Sequence, residues 1–179
     1  MADSAVKRLE ERIAYELLLI AALVGLALVQ ITLLPSPLEF PPALVLVVVL
    51  CRVLVGSRSL QIDNGVDGVI RWAFYGGLGL DVFSTAPFGS HALALVVATS
   101  LIALLTRRLQ IEGFLLPAVA IPVGVLVYET ILALIYALTV APLEWQSYAG
   151  WVILPGMVAA LVIMVPIFAL MRWFIVQRG

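Results

Sequence analysis

Two carboxylates of this 179-residue chain, Asp81 and Glu129, fall deep inside apolar runs. Acids in such places can relay a proton, hold a cation or grip a polar ligand. Left on the lipid face of a helix, each would cost about 2.5–3.5 kcal/mol on insertion scales. Both are therefore expected to face protein or water. No Lys or Arg stands at their depth. His91, the single histidine, is the only basic side chain near Asp81, and Tyr128 adjoins Glu129. Asp81, His91, Tyr128 and Glu129 together could line a polar pocket. The plainer alternative is that Asp81 hydrogen-bonds backbone or caps a helix, and that Glu129 makes an internal hydrogen bond to a Tyr, Ser or Thr.

A second pattern surrounds the first acid. Ala73, Gly77, Asp81 and Ser84 recur at helical spacing and form one stripe of small residues. Lipid gives helices no hydrophobic reason to associate, so close packing over small residues does that work. The stripe is expected to admit another helix, and it is the candidate partner-binding face. Pro87-Phe88-Gly89, just beyond it, reads as a turn.

The elements that must position these residues are membrane helices. The chain is 64% hydrophobic and 12% charged, with mean hydropathy +1.17. A soluble domain carries roughly 45–50% apolar and about 25% charged residues. The expected fold is all-α: one six-helix transmembrane domain over residues 1–179. Apolar runs place the spans at 13–34, 40–55, 66–85, 88–106, 114–140 and 151–176. The middle three are short and could pack against protein rather than lipid. Pro117, Pro122, Pro155 and Pro166 are expected to kink the last two. No repeat relates the two halves. The N-terminal segment carries Lys7, Arg8, Glu10, Glu11 and Arg12 and leads into a run long enough to span, so no cleavable signal peptide is expected. Cys51 sits in an apolar run and has no second cysteine to pair with. A net charge of −1 argues against a nucleic-acid partner.

Charge placement sets an orientation. With six spans and the N-terminus inside, Lys7, Arg8, Arg12, Arg52, Arg58, Arg71, Arg107, Arg108, Arg172 and Arg178 all fall at the cytoplasmic side. Insertion retains Lys and Arg there, so both termini are expected to be cytoplasmic. Trp145, Tyr148 and Trp151 then cluster at the outer face, and Trp72 and Trp173 at the inner. Glu16, Arg52 and Arg71 lie near the inner boundary, where long side chains snorkel. Asp81 and Glu129 each stand about 15 residues into their spans, roughly 22 Å from the inner end.

Catalytic patterns are thin. Asp67-Gly68, Arg71, Gly79 and Asp81 are similar to the motif of CDP-alcohol phosphotransferases, which places four aspartates near two metal ions. Here Asn64 replaces the first aspartate, Arg71 comes one residue early and Thr85 stands where the last is needed. The remaining acids cannot hold two metals. With no phosphate loop, nucleophile elbow or His/Cys cluster, neither an enzyme nor a metal or cofactor site is expected.

The stretch Gly-Gly-Leu-Gly-Leu-Asp-Val-Phe-Ser-Thr-Ala-Pro-Phe-Gly from Gly76 to Gly89, followed by Ser-His-Ala-Leu, resembles the signature of the MreD family of bacterial rod-shape-determining membrane proteins. Gly79, Asp81, Pro87 and Gly89 match its pattern. Length, six spans and short inner loops match along the chain. The resemblance implies a non-catalytic scaffold of the elongasome in the bacterial cytoplasmic membrane, supporting lateral peptidoglycan synthesis. It implies association with an MreC-like bitopic protein, with MreB and with the RodA–penicillin-binding-protein synthase. It also implies a bundle similar to the substrate-binding components of energy-coupling-factor vitamin transporters, which leaves room for membrane lipid or a small molecule. The alternative function is a solute-binding component of that transporter type.

Overall fold

The computed structural model describes residues 2–33, 43–56, 65–108 and 115–176, and every regular element in them is helical. In chain order these are α1 (Ala2–Leu33), α2 (Leu44–Gly56), α3 (Gly65–Phe83), α4 (Ser90–Arg108) and α5 (Leu115–Thr139). A short α6 (Trp145–Tyr148), a π-helical turn (Ala149–Ile153) and α7 (Leu154–Val176) follow without a break. Pro35, Pro37, Pro41, Pro42, Arg58, Asn64 and Arg178 lie outside the described residues. So do the side chains of Lys7, Arg8, Arg12, Asp67 and Arg172.

Among the described residues, four helical stretches are long and apolar enough to cross a membrane: Ile13–Thr32, Ser90–Arg108, Leu115–Thr139 and Trp145–Met171. The other two expected spans correspond to α2 and α3. At 13 residues, α2 is about 20 Å long, against roughly 30 Å of hydrocarbon. Its surroundings explain how so short a helix is stable. It touches α1, α3, α4, α5 and α7, and Val45, Val47, Val49, Leu50 and Cys51 are fully buried. A helix apolar on every face belongs inside protein, and α2 forms the axis of the core. Its first amides have no partner within the helix and, being buried, need one. Gln30 of α1 supplies one, its Oε1 accepting from the Val45 N–H at 3.0 Å.

The first span keeps its expected start at Ile13, and the helix that carries it extends back to Ala2, because the charged segment is rich in Ala, Glu and Arg, all strong helix formers. The last begins at Trp145 rather than at residue 151, through the π-helical turn. Pro155 has no N–H to donate and crowds the carbonyl four residues back, so the ladder departs from α geometry in the turn before it. Pro117 lies in the first turn of α5, where the missing N–H costs little. Pro122 and Pro166 lie inside α5 and α7. The hydroxyls of Thr32, Thr130 and Thr139 donate to carbonyls one turn back at 2.6–2.7 Å, which satisfies them without water.

The bundle has two chemically distinct ends. At one, Arg71 of α3 pairs with Glu16 of α1, and Arg52 of α2 lies 5.8 Å from the ring centre of Trp72. Arg107 and Arg108 end α4. At the other end stand Asp81, His91, Tyr128, Glu129 and Tyr148. Between them, large apolar side chains such as Leu17, Leu18, Leu104, Val158 and Val162 face outward, as lipid contact requires.

Candidate functional site

The site is built at the turn between α3 and α4. After Phe83 the chain reverses through Ser84–Gly89. Gly89 takes φ 93°, a conformation that carries little penalty only for glycine. The Ser90 N–H donates to the Pro87 carbonyl at 3.1 Å, and the Leu93 N–H to the Gly89 carbonyl at 2.9 Å. The first amides of α4 would otherwise point into the protein unpaired, and Gly89 has no side chain to cap them.

Asp81 does so from the preceding helix. Its Oδ1 accepts from the His91 N–H at 2.9 Å and from the Ser90 hydroxyl at 3.4 Å, and its Oδ2 accepts from the Ala92 N–H at 3.2 Å. The carboxylate is buried, 4% exposed. A negative charge at a helix N-terminus is favoured by the helix dipole as well as by the hydrogen bonds. The plainer alternative for Asp81, a helix cap, is what the structure places there.

The small-residue stripe is the surface that makes this capping possible. One turn before Asp81, a Cβ on Gly77 would stand 2.6 Å from the Ala92 nitrogen and 2.9 Å from the His91 carbonyl carbon. The backbones of α3 and α4 therefore touch at this point. Ala73 is fully buried, and Ser84 turns into the loop, where its Oγ accepts from the Ala86 N–H at 2.9 Å. The helix packed on this stripe is α4 of the same chain. Another helix could reach Gly77 or Asp81 only by displacing α4.

His91 joins three elements. Its Nδ1 lies 2.7 Å from the Tyr128 hydroxyl of α5, and its Nε2 lies 3.0 Å from Ser84 Oγ. A neutral imidazole satisfies both contacts in either tautomer, donating to one hydroxyl and accepting from the other. Ser84, His91 and Asp81 thus bring together the residue types of a hydrolytic triad, but with different roles. The carboxylate holds main-chain amides and not the ring, and the ring's second nitrogen meets a phenol. The cluster is arranged as a clamp.

Glu129 stands apart from it. Its Oε2 accepts from the Tyr148 hydroxyl at 2.9 Å, which ties α5 to α6. Of the four residues expected to line one pocket, Asp81, His91 and Tyr128 form a connected chain, and Glu129 pairs with Tyr148 instead. A half-enclosed cavity of about 360 Å³ opens beside them. Ala86 and Pro87 of the turn, Leu132, Ala133 and Ile135 of α5, and Leu143 give its apolar wall. Ser90, His91, Tyr136 and Tyr148 are the polar residues of its lining. His91 alone of the four expected residues lines it. Tyr148, which the sequence places among headgroup-level aromatics, carried no signal of its bond to Glu129. Ser90 could have been suspected as a first-turn hydroxyl following a positive-φ glycine.

No group of three or more His, Cys, Asp or Glu able to hold a metal occurs among the described residues. A scan against family models matches residues 11–174 with the family described as rod shape-determining protein MreD. No curated protein and no solved structure matches the chain.

Proposed function

The chain belongs to the MreD family of rod shape-determining proteins, and from that premise we propose that it is a non-catalytic membrane scaffold of lateral wall synthesis. The carrying observation is the extent of the match, which runs from the start of the apolar part of α1 to the end of α7. In this reading the protein lies in the bacterial cytoplasmic membrane with six passes and both termini in the cytoplasm. The arginines of α2, α3 and α4 then gather at the inner end and the Asp81 clamp lies at the outer end.

The proposed partners are an MreC-like bitopic protein and, through it, MreB and the RodA–penicillin-binding-protein synthase. The connections between helices are too short to form domains, so partners meet helix faces. Because α4 covers the Ala73–Gly77–Asp81 stripe, the partner helix docks on an outward face. Rows of exposed apolar side chains run along α1, α5 and α7, and those of α1 and α7 are the two to probe. Cross-linking from cysteines placed at Leu18 or Val162 to the partner's membrane helix tests this. Selective capture at one position supports docking there, and capture at neither excludes both faces.

A second reading, a solute-binding component of vitamin-transporter type, draws on the cavity beside His91. A vitamin retained through purification would favour it over the scaffold.

A further inference from the structure

We propose that the cavity between α4, α5 and the segment entering α6 holds the uncharged ester–glycerol region of a membrane lipid. This rests on the cavity itself and does not depend on the shape-control reading.

Size comes first. About 360 Å³ is at the lower end of the roughly 300–1,000 Å³ typical of ligand sites. It is too small for a whole lipid and suits one polar–apolar junction of one. The chemistry of the wall agrees. Pro87, Leu132, Ala133, Ile135 and Leu143 offer apolar surface. An ester only accepts hydrogen bonds, so it needs a free donor. Tyr148 donates to Glu129 and Ser90 to Asp81, so neither of these hydroxyls supplies one. The Tyr136 hydroxyl has no hydrogen-bond partner among the described residues and is free to donate to an ester carbonyl.

Charge then narrows the class. Among the described residues no Lys or Arg lies at this end of the bundle, and two carboxylates, Asp81 and Glu129, stand close by. A phosphate or carboxylate inside the cavity would meet no cation to balance it. The occupant's anionic group must stay outside while a neutral, hydrogen-bonding part enters. Depth narrows it again. Trp145 and Trp151 are exposed at the same end, and such rings prefer the headgroup level. That is the level at which a lipid's ester groups lie, above its chain ends.

The test uses the full chain in lipid nanodiscs containing phosphatidylethanolamine with a diazirine beside its glycerol ester, or with the diazirine at the chain end. After illumination, labelled peptides are mapped by mass spectrometry. The ester-side probe should label 86–91 or 132–148 about fivefold more than 154–170 of α7, and the chain-end probe should not. Ala133→Leu fills the cavity and should abolish the excess. Tyr136→Phe removes one hydrogen bond and should reduce the excess about two- to fivefold. If Ala133→Leu does not fold, Leu143→Trp fills the same space from the loop. Equal labelling of cavity and α7, or an excess that survives a folded cavity-filling variant, overturns the proposal. So does native mass spectrometry that finds a water-soluble solute held in place of lipid.

Discussion

The Asp81 carboxylate accepts the main-chain N–H of His91 at 2.9 Å, a bond that ties the end of α3 to the start of α4. The neighbouring amide of Ala92 binds the other oxygen. Asp81 is therefore a fastening between two helices whose backbones are already in contact at Gly77.

Removing the fastening should weaken the bundle. Asp81→Ala leaves the buried amides of His91 and Ala92 without acceptors, and the expected loss is about 2–3 kcal/mol. Asp81→Asn keeps one good acceptor and should lose about half as much. Unfolding of the detergent-solubilised protein, followed by circular dichroism, gives both values.

Close approach at Gly77 makes a separate prediction. Gly77→Ala places a methyl group against the Ala92 backbone, which cannot rotate away, and should cost about 1–3 kcal/mol. Gly25→Ala is the control, because a Cβ there meets nothing within 4 Å, and it should be neutral or slightly stabilising. Equal effects at the two positions would contradict the packing of α3 on α4.

Tyr148→Phe deletes the hydroxyl that donates to Glu129 and should cost about 1–2 kcal/mol, more than Glu129→Gln, which still offers that hydroxyl an acceptor. Thermal unfolding of the two variants side by side decides the order.

The Glu16–Arg71 pair should matter little. The side chain of Arg71 is 44% exposed and that of Glu16 is 30% exposed, so water and salt screen it. A double-mutant cycle should give a coupling of about 0.5 kcal/mol, falling as salt is raised.

Parts of this arrangement are legible in the sequence for a physical reason. Ala73, Gly77 and Asp81 share a helical period, so a close helix neighbour follows from spacing alone. The identity of that neighbour does not. Ala92 looks like any other small residue of an apolar run, and only the reversal at Gly89 brings α4 back along the stripe. Tyr148 and Glu129 are 19 residues apart, on opposite sides of a turn, and nothing in either residue's surroundings links them. That α2 is short follows from its short apolar run. Its place at the centre was not, because a sequence apolar on all faces fits lipid as well as protein. The π-helical turn before Pro155 falls in the same class, since proline announces a break in the ladder without saying what form it takes.

The most direct measurement is complementation after depletion of the protein in a rod-shaped host. Depleted cells should round up. Wild type should restore rods, and so should Asp81→Asn and Glu129→Gln at matched membrane levels, because each keeps an acceptor where the scaffold needs one. Cells that remain rods after depletion, or amide variants that accumulate normally and leave cells round, would contradict a scaffold whose acids Asp81 and Glu129 serve only to hold helices together.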